Sequence, residues 1–365
     1  MRVALVHDWL VTARGGERVL EALCRMYPDA DLFTLLHQRG TQSDEIERRR
    51  ITCSWLDRVP GVYGRYRHLL PLMPAAIESL RLDGYDLVLS SSHCVAKGVR
   101  PAKGARHLAY VHAPMRYMWD LFDEYFGPGR AGMATRAAAR LARPAMQAWD
   151  RASAQRPDAL VANSHHVAGK IRASWGREAE VVHPPVELGR FAQGAPGQGA
   201  GGYFLWLGAL APYKRVDLAV EAFRQLGLPL WIAGDGQEAG RLRGQLPPNI
   251  RLLGKVSDAD VPGLYRDARA LVFPGEEDFG ITPLEAQASG RPVIAYARGG
   301  ALETLTPRTA VFFPRQSVEE LVAAVRRFEA SFEPGFSPEE ARVQAARFSP
   351  EAFEGGIRAA VQRLC

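Results

Sequence analysis

The stretch GEEDFGITPLEAQASGRPVIAY, residues 275–296, follows the apolar run ALVF at 270–273 and ends in a second apolar run at 292–296. It contains three consecutive acidic residues, a Phe-Gly pair and the sequence Thr-Pro-Leu-Glu. An ordinary turn between strands needs only Gly, Pro and one Asp. The additional acids and helix-start residues predict a strand, an acidic loop, a short helix and a second strand.

The two glutamates of this stretch have different explanations. Thr282 as N-cap, Pro283 at the first helical position and Glu285 match a capping box, which would make Glu285 structural. Glu277 lies outside the box, on a loop at the carboxyl end of a strand, where ligands bind in open α/β sheets. A fixed carboxylate there can accept hydrogen bonds from neighbouring sugar hydroxyls. We therefore predict that Glu277 binds a ligand.

The same loop offers backbone donors to a phosphate. The N–H groups at the start of a helix have no partner inside the helix, and the helix dipole favours negative charge there. Acidic side chains beside an anion are costly unless they bind another part of the ligand, and sugar hydroxyls fit that role. The predicted substrate-binding residues of this segment are Asp278, Phe279, Gly280, Ile281 and Glu285.

A second candidate site lies in WLGALAPYKRVDLAVEAF, residues 206–223. A strand ends at Gly208, and a loop with Lys214 and Arg215 leads to a helix near Val216. The two cations could simply be exposed to solvent. If they share a sheet edge with Glu277, they could instead neutralise a diphosphate leaving group, whose negative charge grows as its bond breaks.

The first half of the chain has a comparable strand end in HDWLVTARGGERVLEAL, residues 7–23. Gly15 and Gly16 precede a helix there and would let a phosphate approach the backbone closely. The dinucleotide motif G-x-G-x-x-G is absent, which disfavours a nicotinamide dehydrogenase. His112 also follows a strand, and it is either a packed core histidine or a hydrogen-bond partner of a substrate hydroxyl.

Short apolar runs alternate with amphipathic stretches along the chain, which is typical of βαβ units and parallel sheets. The Gly- and Pro-rich segment 184–202 interrupts this alternation and predicts an interdomain linker. We predict an α/β protein of two doubly wound, Rossmann-like domains facing a cleft, an acceptor-binding domain at 1–183 and a nucleotide-sugar-binding domain at 203–345. A last helix at 350–365 could pack on either domain.

Composition limits the class of protein. A chain of 365 residues exceeds what one core usually serves, so two domains are expected. No apolar run approaches the roughly 18 residues of a membrane span. The start, MRVALVHDWL, predicts a strand and not a signal peptide. The four widely spaced cysteines contain no C-x-x-C and predict free thiols in a reducing cytoplasm.

The net charge of +6 is uneven, because residues 1–183 carry +7 and residues 48–116 alone carry +8. This excess is either a solvated basic surface or one that faces phosphates or anionic lipid. Nucleic acid is disfavoured because no recognition motif accompanies the basic residues. Within this region, RVPGVYGRYRHLLPLM at 58–73 alternates Arg and His with Tyr, Leu and Met, and we predict that it approaches an anionic membrane surface.

Two D-x-D sequences mimic metal motifs, at 29–31 and 258–260. The first precedes a strand and the second starts a helix, so capping explains both better. We therefore predict no metal and no cofactor apart from the donor nucleotide sugar.

With these motifs in place, the chain resembles the retaining glycosyltransferases of family four, which have the GT-B fold. The E-x7-E element of that family corresponds to Glu277 and Glu285 within EDFGITPLEA. G-x5-K with V-D-L-A-V-E-A-F, then A-G-D-G, L-G-K-V and P-V-I-A, are similar to the family over nearly all of 200–310. H-A-P-M-R-Y-M-W-D and D-W-L…G-G-E-R-V-L look like a narrower branch, the mannosyltransferases of O-antigen and exopolysaccharide assembly.

The resemblance implies roles for individual residues. Glu277 would bind hydroxyls of the donor sugar, and Glu285 would bind those of the ribose. Lys214 would contact the diphosphate, and Gly16 would approach it from the other domain. The remaining roles that it implies are base recognition by the main chain at Lys255 and Val256 and a position near the transferred sugar for His112.

One position departs from the family pattern. Many members carry an Arg directly after the strand-end Gly, whereas this chain has Ala209. The second cation of the diphosphate site is therefore either missing or supplied by Arg215.

We predict transfer of a hexose with retention, mannose from GDP-mannose, to a lipid-linked saccharide at the inner face of the cytoplasmic membrane. Glu277, Lys214 and His112 are the predicted catalytic residues. A UDP-sugar donor is the alternative within the same class. A sugar-nucleotide 2-epimerase would act without an acceptor, and a non-catalytic binding protein would need no acceptor groove. The intact E-x7-E and the basic aromatic stretch favour the transferase.

Overall fold

The computed structural model describes residues 1–12, 15–129, 131–191, 202–244 and 246–365. These residues form two compact units. The first unit comprises Met1–Pro185 and Pro350–Cys365, and the second comprises Val186–Ser349. Each unit contains one parallel sheet with helices, so the predicted pair of doubly wound α/β domains is confirmed.

The sheet of the first unit has seven strands within the described residues. The strands are β1 Val3–His7, β2 Asp31–Thr34, β3 Ile51–Cys53, β4 Leu87–Ser92, β5 Arg106–Val111, β6 Ala159–Ala162 and β7 Glu180–Val181. Their order is β3-β2-β1-β4-β5-β6-β7, and all pairs are parallel. Every residue of β1 and β4 is buried, as expected for central strands covered on both faces. The order reverses between β1 and β4, which makes this pair the topological switch point.

The helices of the first unit connect these strands. They are α1 Gly15–Met26, α2 Asp44–Glu47, α3 Val62–Arg65, α4 Met73–Glu78, α5 Phe122–Phe126, α6 Met133–Ser153 and α7 His165–Trp175. Helix α1 buries one apolar face and carries Glu17 in its first turn and Arg25 in its last, which complements the helix dipole. Helix α7 starts where the Ser164 hydroxyl accepts the N–H of Val167, and it ends at Gly176 in the left-handed conformation.

The second unit repeats the arrangement with six strands among the described residues. They are β8 Phe204–Leu207, β9 Leu230–Ala233, β10 Ile250–Gly254, β11 Ala270–Phe273, β12 Val293–Tyr296 and β13 Ala310–Phe313. The order is β10-β9-β8-β11-β12-β13, again parallel throughout. Its switch point lies between β8 and β11, so the loops after these two strands are where a ligand is expected.

Seven α-helices cover this sheet within the part of the unit that the structure describes. They are α8 Val216–Leu226, α9 Ala239–Leu242, α10 Val261–Asp267, α11 Ile281–Ala288, α12 Ala301–Thr304, α13 Val318–Arg327 and α14 Pro338–Ala346. Helices α8 and α13 bury apolar faces in the core against β8, and the ring of Phe223 lies 5.1 Å from that of Phe204.

The last helix, α15 Pro350–Leu364, belongs to the first unit. Its buried side chains Phe353 and Ile357 join the core beneath β1, β4 and β5. The ring of Phe353 lies 5.6 Å from the ring of Tyr110 on β5. A side chain at Gly356 would come within 2.7 Å of Val182, so glycine allows α15 to lie close to the end of β7.

The predicted linker at 184–202 is wrong at its start. Val186 and Phe191 are buried in the core of the second unit, and the Val186 N–H donates to the carbonyl of Phe348. Two large apolar side chains outweigh the Gly and Pro content around them because they bury enough surface to order the backbone. Residues 192–201 of the predicted linker lie outside the described residues.

Candidate functional site

Two predicted site residues meet at the switch point of the second sheet. Lys214 lies on the loop after β8, Glu277 lies on the loop after β11, and Lys214 Nζ is 2.7 Å from Glu277 Oε1. The side chains are 14% and 18% exposed, so the pair is partly shielded from water and still reachable. A carboxylate and an ammonium group in contact offer both hydrogen-bond acceptors and donors to one ligand.

Glycines let the two loops come this close. A Cβ at Gly275 would be 2.8 Å from the Cα of Lys214, so any side chain at 275 would push the loops apart. A Cβ at Gly300 would be 2.3 Å from the Cα of Phe279, and the Gly300 N–H donates to the carbonyl of Glu277. The loop after β12 therefore fixes the backbone of Glu277, which fixes the direction of its side chain.

The backbone after Lys214 is unusual. Arg215 has φ 53°, and among the described residues it is the only non-glycine with positive φ. This conformation costs about 1–2 kcal/mol for a residue with a Cβ. The guanidinium of Arg215 donates to Asp217 at 3.1 Å and to Gln316 at 3.5 Å, so these contacts tie it to the start of α8. Ala209, where relatives of the predicted family have Arg, is exposed.

The predicted capping box is wrong. Helix α11 begins at Ile281, one residue before Thr282, and its N-cap is Gly280 with φ 89°. Thr282 is therefore inside the helix, and its buried hydroxyl has no hydrogen-bond partner among the described residues. The left-handed conformation at Gly280 sets the start of the helix because glycine adopts it without strain.

Glu285 consequently has another environment than a cap. It is buried on α11, and its Oε2 accepts a hydrogen bond from the hydroxyl of Tyr265 at 3.0 Å. Burial, and next the negative charge of Glu285, raise the pKa of Tyr265 well above its usual value, so the hydroxyl stays a donor. Sequence analysis missed Tyr265, because the aromatic residue of a short helix gives no signal of a polar partner.

The residues between the two glutamates have mixed surroundings. Asp278 and Phe279 are buried, and the ring of Phe279 packs at 5.7 Å from that of Phe348 in the core. Phe279 can thus serve a ligand only through its backbone. Ile281 is the first helical residue and is partly buried, so the backbone of Gly280 and Ile281 forms the amino end of α11.

Lys255 and Val256 lie one strand further along the same sheet edge. They follow β10 after Gly254, whose φ of 72° turns the chain at the strand end. Lys255 is exposed, while Val256 is partly buried against the core of the second unit. The structure records no contact between these two residues and Lys214 or Glu277 among the interactions of the described residues.

In the first unit, imidazoles converge at the carboxyl edge of β1, β4 and β5. The Ser91 hydroxyl lies 2.8 Å from Nε2 of His112 and 3.2 Å from Nδ1 of His7. Burial, and next the neighbouring His93, lower the pKa of His7 to about 3, so His7 is neutral at ordinary pH. His112 is thus neither a packed core residue nor isolated, since a hydroxyl and a second ring hold it.

Gly16 lies against these rings. It is the second residue of α1, which begins at Gly15 and so includes both glycines that were predicted to precede it. A Cβ at Gly16 would be 3.7 Å from His112 Nε2 and 3.8 Å from His7 Cε1, which is ordinary contact, and its φ lies outside the left-handed range. Neither the backbone nor the packing of the described residues therefore requires glycine here.

Asp8 and His93 complete this edge, and sequence analysis missed both. Asp8 is fully buried, and its carboxylate accepts the backbone N–H groups of residues 93–96 as well as a contact from His93 Nδ1 at 3.0 Å. The available signal was that His7-Asp8 and Ser92-His93 each end an apolar strand. Recognising it requires the strand order, which puts β1 beside β4 although 79 residues separate them.

Comparison with family models decides the classification. The model described as "Glycosyltransferase Family 4" matches residues 13–190, and the model described as "Glycosyl transferases group 1" matches residues 197–342. Together the two matches cover most of the chain, one for each unit. The chain belongs to the family-four glycosyltransferases. The predicted resemblance is thereby confirmed.

A curated relative of this glycosyltransferase is the GDP-mannose-dependent alpha-mannosyltransferase of Mycolicibacterium smegmatis. The two are 33% identical over 242 residues, which is 64% of this chain and 62% of the relative. The alignment thus spans less than two thirds of that relative's length.

Solved structures share the fold of this glycosyltransferase. HepE of Anabaena, crystallised with UDP, has a TM-score of 0.73 at 16% identity, and the alignment covers 100% of both chains. Sucrose-phosphate synthase of Thermosynechococcus elongatus has a TM-score of 0.77 at 18% identity over 100% of this chain and 99% of that one. Within the residues that the structure describes, no helix has the length and apolar character needed to cross a bilayer.

Proposed function

We propose that this protein transfers a hexosyl group, mannose from GDP-mannose, with retention of configuration to a lipid-linked saccharide in polysaccharide or O-antigen assembly. The observation that carries the proposal is the contact between Lys214 and Glu277 at the switch point of the second sheet. A nucleotide sugar places hydroxyls beside a diphosphate, and this pair places a hydroxyl acceptor beside a cation.

Glu277 and Lys214 have complementary tasks in the proposed reaction. Glu277 accepts hydrogen bonds from hydroxyls of the donor hexose, and Lys214 neutralises the diphosphate as the bond from the anomeric carbon to oxygen breaks. The amides at the start of α11, at Gly280 and Ile281, add donors for a phosphate oxygen. Stabilisation of the departing charge is the catalytic contribution, because that charge exists in full only as the bond breaks.

Glu285 and the turn after β10 bind the nucleoside in this proposal. The Tyr265 hydroxyl holds one carboxylate oxygen of Glu285, and an oriented carboxylate can accept hydrogen bonds from the two ribose hydroxyls. The main chain at Lys255 and Val256 contacts the base. Asp278 supports the loop between the sugar and phosphate contacts.

Gly16 and His112 are the contribution of the first unit. The lack of any packing need for glycine at position 16 supports a role in which a ligand approaches its backbone. His112 is held by Ser91 and, in this proposal, contacts the transferred sugar. Arg215 is proposed as an additional cation for the diphosphate, although its recorded contacts are to Asp217 and Gln316.

GDP-mannose is proposed as donor because the Mycolicibacterium smegmatis relative is named as dependent on it. A UDP-sugar is the competing donor. Thermal-shift measurements with GDP-mannose, UDP-glucose and ADP-glucose separate these possibilities, because a ligand that binds only the folded state raises the melting temperature with its affinity. A shift with UDP-glucose alone would overturn the donor assignment.

The proposed reaction needs no metal ion. Lys214 and helix amides supply the positive charge that a divalent ion supplies in other transferases. The acceptor hydroxyl attacks the face that the diphosphate leaves. Transfer should therefore persist in EDTA, and loss of activity that Mg²⁺ or Mn²⁺ restores would contradict this part.

The acceptor's lipid places the proposed reaction at the inner face of the cytoplasmic membrane. Residues 55–72 contain three exposed apolar side chains, Trp55 at 43%, Val59 at 36% and Leu72 at 46% exposed. Arg58, Arg65 and Arg67 lie in the same segment and are also exposed. Exposed apolar groups among cations are typical of a surface that binds anionic lipid.

Liposome flotation tests the membrane surface. The protein should float with vesicles of phosphatidylcholine and phosphatidylglycerol and not with phosphatidylcholine alone. The variant Leu72→Ser should weaken flotation, whereas Leu302→Ser removes a similarly exposed side chain, 57% exposed, from the second unit and should not. Equal flotation with both vesicle types would sink the assignment.

A transfer assay distinguishes the proposal from its rivals. With GDP-mannose and a saccharide acceptor, the transferase forms a glycoside and releases GDP. A sugar-nucleotide 2-epimerase converts the donor without acceptor, and a non-catalytic binding protein shows a thermal shift without turnover. Either of these outcomes would replace the proposed function.

A further inference from the structure

Asp8 has an unusual number of hydrogen-bond donors. Its Oδ2 accepts the N–H groups of His93 and Cys94, and its Oδ1 accepts those of Val95 and Ala96, at 2.6–3.0 Å. The carboxylate is fully buried at the end of β1 and thereby shapes the whole turn after β4. A buried carboxylate is stable only with such compensation.

The same carboxylate orients the ring of His93. Nδ1 of His93 lies 3.0 Å from Asp8 Oδ2. Because a carboxylate only accepts hydrogen bonds, Nδ1 must carry the hydrogen, and Nε2 of the neutral ring is then an acceptor. The side chain is 27% exposed, so a ligand can reach a ring whose tautomer and direction are already set. Hydroxyl groups are the ligands that such an acceptor suits.

An aromatic side chain adjoins His93. The rings of Trp9 and His93 meet edge to face with centroids 4.5 Å apart, and Trp9 also lies 5.3 Å from Tyr66. Trp9 is only partly buried. An indole beside a fixed hydrogen-bond acceptor offers an apolar face and a polar contact, the combination that a sugar ring needs because it has both C–H and O–H groups.

This pair lies between two parts of the first unit that are already assigned. On one side, the ring of His93 is 6.4 Å from that of His112, which is proposed to contact the transferred sugar. On the other side, Tyr66 belongs to the segment 55–72 that is proposed to approach lipid. A saccharide that extends from the membrane to the transferred sugar would pass Trp9 and His93.

We propose that His93, oriented by Asp8, and Trp9 form the subsite for the attacking saccharide, in which His93 Nε2 accepts the hydrogen bond of the acceptor hydroxyl and the indole of Trp9 lies against its sugar ring. This inference rests on the proposed function and adds to it the residues that bind the second substrate. Asp8 is a positioning residue because it acts through His93.

The competing explanation is that Asp8 and His93 only stabilise the turn after β4. The variant His93→Gln separates the two, because the four backbone contacts of Asp8 remain while the ring acceptor is lost. His37→Gln is the matched control. His37 also pairs with a carboxylate, that of Glu47 at 3.1 Å, but it follows β2 and does not adjoin Trp9.

The experiment measures transfer from GDP-mannose to octyl α-D-mannoside, octyl β-D-glucoside and octyl β-D-galactoside, together with GDP release in the absence of acceptor. His93→Gln should lower kcat/KM for the best octyl glycoside at least tenfold, and Trp9→Leu should raise its KM. In both variants the KM for GDP-mannose and the acceptor-free GDP release should stay within twofold of wild type, and His37→Gln should match wild type throughout.

Three outcomes would overturn the subsite. They are unchanged acceptor kinetics in His93→Gln, an equal rise in donor and acceptor KM, and no glycoside accepted while GDP release continues. A wild-type protein that neither binds GDP-mannose nor releases GDP overturns the proposed function itself, and the subsite with it. Wild-type transfer with an unaffected His93→Gln overturns the subsite alone.

Discussion

Lys214 Nζ and Glu277 Oε1 are 2.7 Å apart, and this contact joins the loops that follow β8 and β11 at the point where the strand order reverses. The two residues are 63 positions apart in the chain. Glycines at 275 and 300 permit their approach, so the pair is built by the backbone and not by chance orientation of long side chains.

Replacement of Glu277 by Gln should lower kcat by about 10²–10³, because a neutral amide accepts fewer and weaker hydrogen bonds from sugar hydroxyls and leaves Lys214 unpaired. The measurement is GDP release and glycoside formation at saturating GDP-mannose. Glu276→Gln is the control, since it removes an adjacent acid from the same loop. A fully active Glu277→Gln enzyme would remove Glu277 from the chemistry.

Lys214 and Glu277 should be energetically coupled. Lys214→Met and Glu277→Gln each leave a partly buried charge without its partner, which should cost about 1–2 kcal/mol of unfolding free energy. The double variant should lose less than the sum of the two, because neither charge then remains. Urea unfolding of all four proteins provides the cycle, and strict additivity would show that the contact contributes nothing to stability.

Tyr265→Phe should raise the KM for the donor about three- to tenfold while kcat changes little. The hydroxyl donates to Glu285, so its loss frees a buried carboxylate that is proposed to bind the ribose. Tyr203→Phe is the matched control, because that hydroxyl donates to the carbonyl of Leu264 instead. Equal donor KM values in both variants would argue against a ribose role for Glu285.

Arg215 allows backbone strain to be separated from charge. Arg215→Gly and Arg215→Ala both remove the guanidinium, but only glycine relieves the left-handed conformation at φ 53°. The glycine variant should be about 1 kcal/mol more stable to urea than the alanine variant. If both variants also raise the donor KM by the same factor, the guanidinium binds the diphosphate. Unchanged KM values would confine Arg215 to its contacts with Asp217 and Gln316.

Two buried histidines make the first unit sensitive to acid. Burial lowers the pKa of His7 to about 3 and that of His107 to about 4. The unfolded chain binds these protons near pH 6.5, so the contribution to stability is complete above that pH and is lost as the pH falls towards 4 and then 3. The slope is at most about 1.4 kcal/mol per pH unit for each histidine.

Denaturant unfolding between pH 7.5 and pH 5 measures this dependence. The variant His107→Gln cannot take up the proton and should show a shallower decline than wild type. His107 accepts or donates one hydrogen bond with Ser90 at 2.8 Å, so the glutamine can keep a polar partner. Parallel curves for the two proteins would mean that His107 is already protonated in the folded state.

The sequence predicts the strands well because central parallel strands are continuous apolar runs. It also identifies Glu277, Lys214 and Gly16, since all three lie at the carboxyl ends of such runs. The start of α11 is a different case. Thr282 and Pro283 match a local capping pattern, but the conformation of Gly280 starts the helix earlier, and a pattern of residue types does not report backbone dihedral angles.

Long-range partners account for the rest of what the sequence leaves out. Asp8 serves a turn 85 or more positions away, and Tyr265 serves a carboxylate on the next helix. These contacts depend on which strands are neighbours, and many strand orders are compatible with one alternating pattern. The linker prediction was wrong for a related reason, because Val186 and Phe191 are buried only by residues distant in sequence.

Because α15 completes the core beneath β1, β4 and β5, the first unit is assembled from two separated pieces of chain. A ribosome delivers the first 185 residues early and the remaining piece only after the whole second unit has been made. The earlier half must therefore wait, with the surface that Phe353 and Ile357 later cover open to water. Chaperone dependence and degradation of stalled chains should concentrate on that waiting half.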